Sequence, residues 1–172
     1  SERIAKGGIT ANPNFTFKET GPCSGMFDGD NGCGFAAAKE AMDIAIEMAK
    51  KNGIAVIGIS NISHSGSIGY YTEMAAKNDL AAISFCQSDP MAVPPGGTEP
   101  YYGTNPISFA APTADDRTVV FDMATTVQAW GKILDKRSRG ESIPDNWAVD
   151  EKGNPVTDPN KVNALLPIAG AK

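Results

Sequence analysis

Histidine occurs once in these 172 residues, at His64, so no metal ion can be held by several imidazoles. Cysteine is nearly as scarce. Cys23, Cys33 and Cys86 are odd in number and widely spaced, which suits reduced thiols in a cytoplasm better than a disulfide framework; each is expected as a small buried hydrophobe. Positive charge is also short, with 15 Lys and Arg against 20 Asp and Glu, a net charge of -5, and no basic run beyond Lys50-Lys51. A phosphate backbone finds no electrostatic footprint here, so nucleic acid is not an expected partner. No apolar stretch nears the roughly 20 residues that cross a bilayer, and no basic-then-apolar leader opens the sequence. A soluble chain without a membrane partner is expected. Three nucleotide and hydrolase signatures are missing too: Gly-x-Gly-x-x-Gly, the Gly-Lys-Ser/Thr phosphate loop, and the Gly-x-Ser-x-Gly elbow.

What is present reads as alternating structure. With 41% hydrophobic and 20% charged residues, the chain can bury a sizeable core, and one compact unit over residues 1–172 is expected. Phe15, Phe17, Cys23 and Met26-Phe27, broken by Gly21-Pro22, predict a hairpin. From Phe35 to Lys51, Ala38, Ala41, Met42, Ala45, Met48 and Ala49 recur at helical spacing opposite Glu40, Asp43, Glu47 and Lys50, and Asn52-Gly53 stops the helix. The apolar run from Ile54 to Ile59 predicts a strand covered on both faces. The order then repeats, with a helix from about Ser67 to Asn78 and a strand from Ala81 to Cys86. Between Asp89 and Pro106 lies a Pro- and Gly-rich loop, of a length that in compact domains is usually functional. Ile107 to Ala111 and Val119 to Phe121 read as an antiparallel pair. Thr125 or Thr126 is expected to cap a last helix with the stripe Val127, Trp130, Ile133 and Leu134, ended by Gly140. From Ile143-Pro144 through Trp147 to Asp158-Pro159, loop and hairpin are expected. The pattern predicts an α/β (α+β two-layer) fold with a mixed β-sheet and packed helices. Ser1 in place of Met, and an end at Ala171-Lys172 just beyond a Pro/Gly turn, read as a piece of a longer protein.

His64 lies in Ser63-His64-Ser65-Gly66-Ser67-Ile68-Gly69-Tyr70-Tyr71, between a strand and a helix, where α/β sheets usually bind ligands. Imidazole titrates near neutrality and can take a proton from an alcohol as hydride leaves. A hydrogen-bonded structural histidine is the competing reading. Ser63 or Ser65 as a hydrolase nucleophile is disfavoured, because adjacent residues seldom aim side chains at each other. If a nicotinamide dinucleotide binds, it is held without a Rossmann turn. Candidate holders are Gln87-Ser88-Asp89-Pro90, Gly103-Thr104-Asn105-Pro106 and Asp122-Met123-Ala124-Thr125-Thr126, the last offering free N–H groups at a helix start.

Taken together in their order, His64-Ser65-Gly66, Gly69-Tyr70-Tyr71, Gly103-Thr104-Asn105-Pro106, Asp122-Met123-Ala124-Thr125 and the segment from Ile143-Pro144 to Trp147 resemble the malate/L-lactate dehydrogenase family, whose fold is not Rossmann. The resemblance covers nearly the whole chain. It implies a non-Rossmann NAD-binding domain of the L-sulfolactate/malate dehydrogenase-like type, oxidising a small hydroxy-acid with NAD as a homodimer. It implies His64 as the acid/base, with Ser88, Asp122, Met123, Ala124 and Lys172 contacting the dinucleotide. Family members also carry an earlier helical segment with a His-Ser-His-Gly motif, an arginine and a tyrosine at the substrate, and further helices after the matched stretch. A carboxylate substrate wants such a cation. The family leaves malate, lactate, sulfolactate and diketogulonate open as substrate types, and a ligand-binding domain without catalysis is the alternative of a different class.

Overall fold

The computed structural model describes residues 2–115 and 117–168. Its Cα packing forms two compact units, Ser1–Ser84 with Ser108–Phe121, and Phe85–Ile107 with Asp122–Lys172. No helix among the described residues is long and apolar enough to cross a membrane.

In the first unit, a one-turn helix α1 (Glu2–Ala5) precedes β1 (Thr16–Gly21) and β2 (Ser24–Gly32), the expected hairpin, antiparallel with Phe17 opposite Phe27. Helix α2 (Gly34–Asn52) then crosses to β3 (Val56–Ile62), which pairs with β2 in parallel. The sheet β1-β2-β3 is therefore mixed. Gly53 closes α2 at φ 84°, its N–H donating to the Ala49 carbonyl at 2.7 Å, a left-handed cap that costs glycine least. Ala37 and Ala41 of α2 are buried against Phe27, with Phe15, Phe17, Ile44, Ile57 and Ile62 packed around them. Small alanines let the helix approach the sheet, and the aromatic rings fill the space between.

The apolar run at β3 is not covered on both faces. Ile57 and Ile62 pack toward α2, while Ile54, Val56 and Ile59 are exposed. An apolar run reports a preference for burial; what covers it comes from other segments.

Helix α3 (Gly69–Ala76) follows, shorter than expected, and then β4 (Ala82–Phe85), β5 (Ile107–Pro112) and β6 (Thr118–Met123), a second sheet in that order. The Thr113 N–H donates to the Arg117 carbonyl at 2.9 Å in the turn joining β5 to β6. In the first unit, buried Thr72 of α3 meets buried Ser108 of β5 hydroxyl to hydroxyl at 2.7 Å, and Ser108 donates to the Phe121 carbonyl at 2.8 Å. Two buried hydroxyls are thereby satisfied.

Beside Ile133 and Trp130 of the expected helix, the second unit builds its core from residues expected to be loop or hairpin. Ala92, Ile133, Ile143, Ala148, Val156 and Leu165 form one buried cluster, with Trp130, Trp147 and Val162 packed on it; Val93, Val149 and Ala164 form another. Helix α4 (Trp130–Arg139) contributes Ile133, and β7 (Ala148–Val149) pairs antiparallel with β8 (Ala164–Leu165). Single bridges, Ala92 with Tyr102 and with Leu165, tie the long loop into this core.

The expected cap of α4 is also different. The helix starts after Ala129, which makes no side-chain cap, because Thr126 bridges Pro167 and the Val127 N–H donates to the Leu166 carbonyl at 2.9 Å. That extended pairing holds residues 126–127 out of helical geometry. Cysteine too departs from expectation: all three are free, Cys33 is exposed, and Cys23 and Cys86 are half-buried.

Candidate active site

His64 sits in the turn of residues 63–68, at the carboxyl end of β3 and before α3. Its imidazole is exposed and meets the Phe35 ring edge-on, with centroids 6.0 Å apart at 88°. Backbone contacts hold the turn on one side. A Cβ on Gly34 would lie 2.1 Å from the Ser63 carbonyl oxygen and 2.6 Å from that of His64, so the first turn of α2 presses against this backbone and only hydrogen fits. Across the same contact the Gly34 N–H donates to Ser63 Oγ at 3.0 Å, and the Ser63 N–H donates to the Gly32 carbonyl at 3.1 Å. On the other side, the buried Tyr71 hydroxyl donates to the Ser65 carbonyl at 2.6 Å. Gly66 takes φ +75°, and a Cβ there would lie 2.4 Å from Phe35 Cε1.

Next to the turn is an open cleft of about 520 Å³, lined by Phe35, Lys39, Ser65, Ser67, Tyr70 and Tyr71 among others, within the size range of small-molecule sites. His64 stands beside this lining through its neighbours Phe35 and Ser65. Lys39 donates to Asp43 at 2.7 Å, and that hydrogen bond and charge hold its ammonium above the usual lysine range. The rim therefore carries a Lys39–Asp43 ion pair. Burial, chiefly, pushes the Tyr71 phenol up, which keeps it an O–H donor.

In the second unit the three predicted holder segments meet. The Thr104 N–H donates to Ser88 Oγ at 2.9 Å, and the Ser88 N–H donates to Asn105 Oδ1 at 3.1 Å. Thr125 gives both its N–H and its Oγ1–H to the Thr104 carbonyl, at 2.8 and 3.0 Å. Gly103 fits under this junction, since a Cβ would come within 2.4 Å of the Ser88 carbonyl and Asn105 Oδ1. Asp122 and Met123 are exposed and Ala124 is half-buried. Free N–H groups at a helix start are not found at residues 122–126: this stretch ends β6, α4 begins later, and the Thr125 N–H is engaged. Lys172 lies outside the described residues.

The donor set of this junction fits a dinucleotide. Hydroxyls at Ser88 and Thr104 can donate to ribose or phosphate oxygens and the Asp122 carboxylate can accept from ribose hydroxyls, while exposed Met123 and Val127 give apolar surface for a ring face.

Two supports of His64 have little signal in the sequence, namely Gly34 and Tyr71. Gly32-Cys33-Gly34-Phe35-Ala36-Ala37 even has the spacing of a dinucleotide turn between strand and helix. Here the space beside these glycines is filled by protein: a Cβ on Gly32 would meet Pro13 at 2.6 Å, and one on Gly34 would meet the Ser63 and His64 backbone. Only a structure shows what a glycine makes room for.

The sheet beside this site is mixed, and an exposed imidazole stands at its strand-to-helix turn; known proteins supply the class. The chain matches the family model "Malate/L-lactate dehydrogenase" over residues 1–172; it belongs to that family. It is 59% identical over 172 residues to the ureidoglycolate dehydrogenase (NAD(+)) of Escherichia coli O157:H7, covering 100% of this chain and 49% of the relative. A malate dehydrogenase of Pyrococcus abyssi is 40% identical over 170 residues, covering 97% and 47%. Among solved structures, sulfolactate dehydrogenase from Methanocaldococcus jannaschii superposes with a TM-score of 0.81 at 37% identity, covering 97% of this chain and 49% of that one. Malate dehydrogenase from Entamoeba histolytica gives 0.91 at 28% identity, covering 99% and 50%. The chain thus spans about half the length of the curated relatives it matches.

Proposed function

We propose that this chain is the part of an NAD-dependent ureidoglycolate dehydrogenase that carries the proton-transferring histidine and part of the cofactor holder, oxidising (S)-ureidoglycolate to oxalurate. The observation that carries the chemistry is His64, an exposed imidazole fixed between helix and strand by contacts on both flanks. The substrate follows from the 59% identity to an enzyme of that name, against 40% to a malate dehydrogenase.

In this reading Ser88, Asp122, Met123, Ala124 and Lys172 hold NAD, which when bound supplies the acceptor for the hydride of the substrate C–H. His64 accepts the hydroxyl proton as the alcohol carbon becomes a carbonyl and returns it in the reverse direction. No cation is needed at His64 itself; the substrate carboxylate needs one elsewhere. The setting proposed is a cytoplasmic homodimer acting in allantoin degradation.

His64→Ala in the complete polypeptide is expected to lower kcat by about 10²- to 10⁴-fold, the usual worth of a general base, while the Kd for NAD stays within about twofold. Turnover unchanged by the substitution sinks the assignment. A panel of ureidoglycolate, malate, lactate, sulfolactate and diketogulonate, read by NADH absorbance, tests the substrate; preference for malate would replace it with the reading its 40% relative supports. NAD titrated calorimetrically into the complete chain, with turnover read beside it, tests the alternative of a ligand-binding or scaffold domain without catalysis, which predicts no turnover, and for a bare scaffold no heat either.

A further inference from the structure

We infer that Tyr71 is a positioning residue for proton transfer: its buried hydroxyl, donating to the Ser65 carbonyl at 2.6 Å, fixes the peptide next to His64 and thereby the place of the imidazole. The inference rests on His64 being the proton acceptor, and goes beyond it by assigning a role to a side chain whose hydroxyl is engaged at the Ser65 carbonyl.

The turn at residues 63–68 has few means of holding itself. It contains no regular element, its central imidazole is exposed, and Gly66 leaves one of its joints without a side chain. On the amino side it is fixed by the Gly34 contact and by the bond from the Gly34 N–H to Ser63 Oγ, 3.0 Å long. On the carboxyl side the Tyr71 and Thr72 N–H groups donate to the Ile68 carbonyl at 3.2 and 3.4 Å, and the Tyr71 hydroxyl alone among these reaches back to the peptide next to His64. That tyrosine is anchored in α3, 4% exposed, with its ring edge-on to Tyr70 at 5.4 Å. Six residues of chain separate donor from acceptor, so the bond closes the turn onto the start of the helix that follows it. Burial keeps the phenol protonated, and the bond persists across the pH range in which imidazole titrates.

Geometry of this kind matters most to the chemical step. A general base must meet its proton within hydrogen-bonding reach, and a misplacement of about 1 Å can cost about 10²-fold in rate. Loss of the Tyr71 hydroxyl removes the tie at the Ser65 carbonyl and leaves those of the amino flank.

The test is a double-mutant cycle of Tyr71→Phe with His64→Ala in the complete, NAD-loaded polypeptide. Tyr71→Phe alone is expected to lower kcat by about 10-fold while KM for both substrates moves less than about twofold, a fraction of the misplacement cost above. In the His64→Ala background the same change is expected to have no further effect on kcat, because there is no base left to misplace. Equal fold-losses in both backgrounds, or a loss carried by KM, overturn the positioning role. An unchanged kcat for His64→Ala overturns the reading of His64 instead, so the two failures are distinct. Should Tyr71→Phe not fold, Ser63→Ala, which removes the tie on the opposite flank, carries the same cycle: a kcat loss that vanishes without His64 supports positioning at this turn, and an additive loss overturns it.

Discussion

The turn bearing His64 and the junction of Ser88, Gly103 and Thr125 solve the same problem in different ways. In the first unit, irregular chain is fixed mainly by close backbone approach, with no room for a Cβ at Gly34. In the second, it is fixed by a lattice of side-chain-to-backbone bonds: Ser88 Oγ accepts from the Thr104 N–H, Asn105 Oδ1 accepts from the Ser88 N–H, and Thr125 Oγ1–H donates to the Thr104 carbonyl. Packing of backbone on backbone is unforgiving, because neither party can rotate away. A hydrogen bond can be replaced by water when one partner is removed. In the proposed reaction the turn would need close placement for a proton to move, whereas a holder of a large cofactor would share its task among many contacts.

Gly34→Val is the severest test of that contrast. Its side chain has to displace the Ser63 and His64 carbonyls, and a loss of more than about 100-fold in kcat is expected, with a lowered Tm, measured by steady-state kinetics and calorimetry on the complete chain. Near-normal turnover would mean the turn is not held by that contact. Ser88→Ala is expected to act less, and on a different constant. The Thr104 N–H loses its acceptor, worth about 1 kcal/mol, so KM for NAD should rise about fivefold with kcat nearly constant; a kcat effect as large as that at Gly34 would erase the distinction between the two regions.

The smallest effect is expected at Asp150, where the second unit again uses side-chain-to-backbone bonds but at a half-buried surface turn. Its carboxylate accepts from the Asn154 and Lys152 N–H groups at 2.9 Å each, and the bond from the Asn154 N–H is the largest cause holding its carboxyl below the usual range. A carboxyl so depressed adds stability above its unfolded pKa and loses it as pH falls through the folded value. Asp150→Asn should therefore lower Tm slightly at neutral pH, with the difference from the parent closing as pH drops below the ordinary carboxylate range. A gap that stays constant down to strong acid would show that the charge contributes nothing at this turn.

How legible these features were in the sequence depended on periodicity. Helix α2 could be read because its apolar residues repeat at helical spacing and Asn52-Gly53 ends it, and its observed bounds, Gly34–Asn52, agree. The hairpin of β1 and β2 was legible for the same reason. Ile143, Ala148, Val156 and Leu165 lie in apolar pieces of one to three residues between turn residues, too short to show a period, yet they make the core of the second unit. Thr125 and Thr126 resembled helix caps by local chemistry, and the segment at Leu166 and Pro167 claimed them for extended pairing. The three segments proposed as cofactor holders could be named one by one, but nothing along the chain said that Thr104 would bond to both of the others.

By itself, then, the sequence determined the class of elements, the mixed α/β order and the solitary imidazole at a strand-to-helix turn, because those properties follow from local period and residue chemistry. Which residues restrain that imidazole, which exposed strands lack a cover and which scattered apolar residues become core were decided by tertiary structure, since each depends on groups far apart in sequence arriving at one place. Gly34 shows the difference most plainly: in the sequence it is a glycine before a helix, and in the fold it is the room His64 needs.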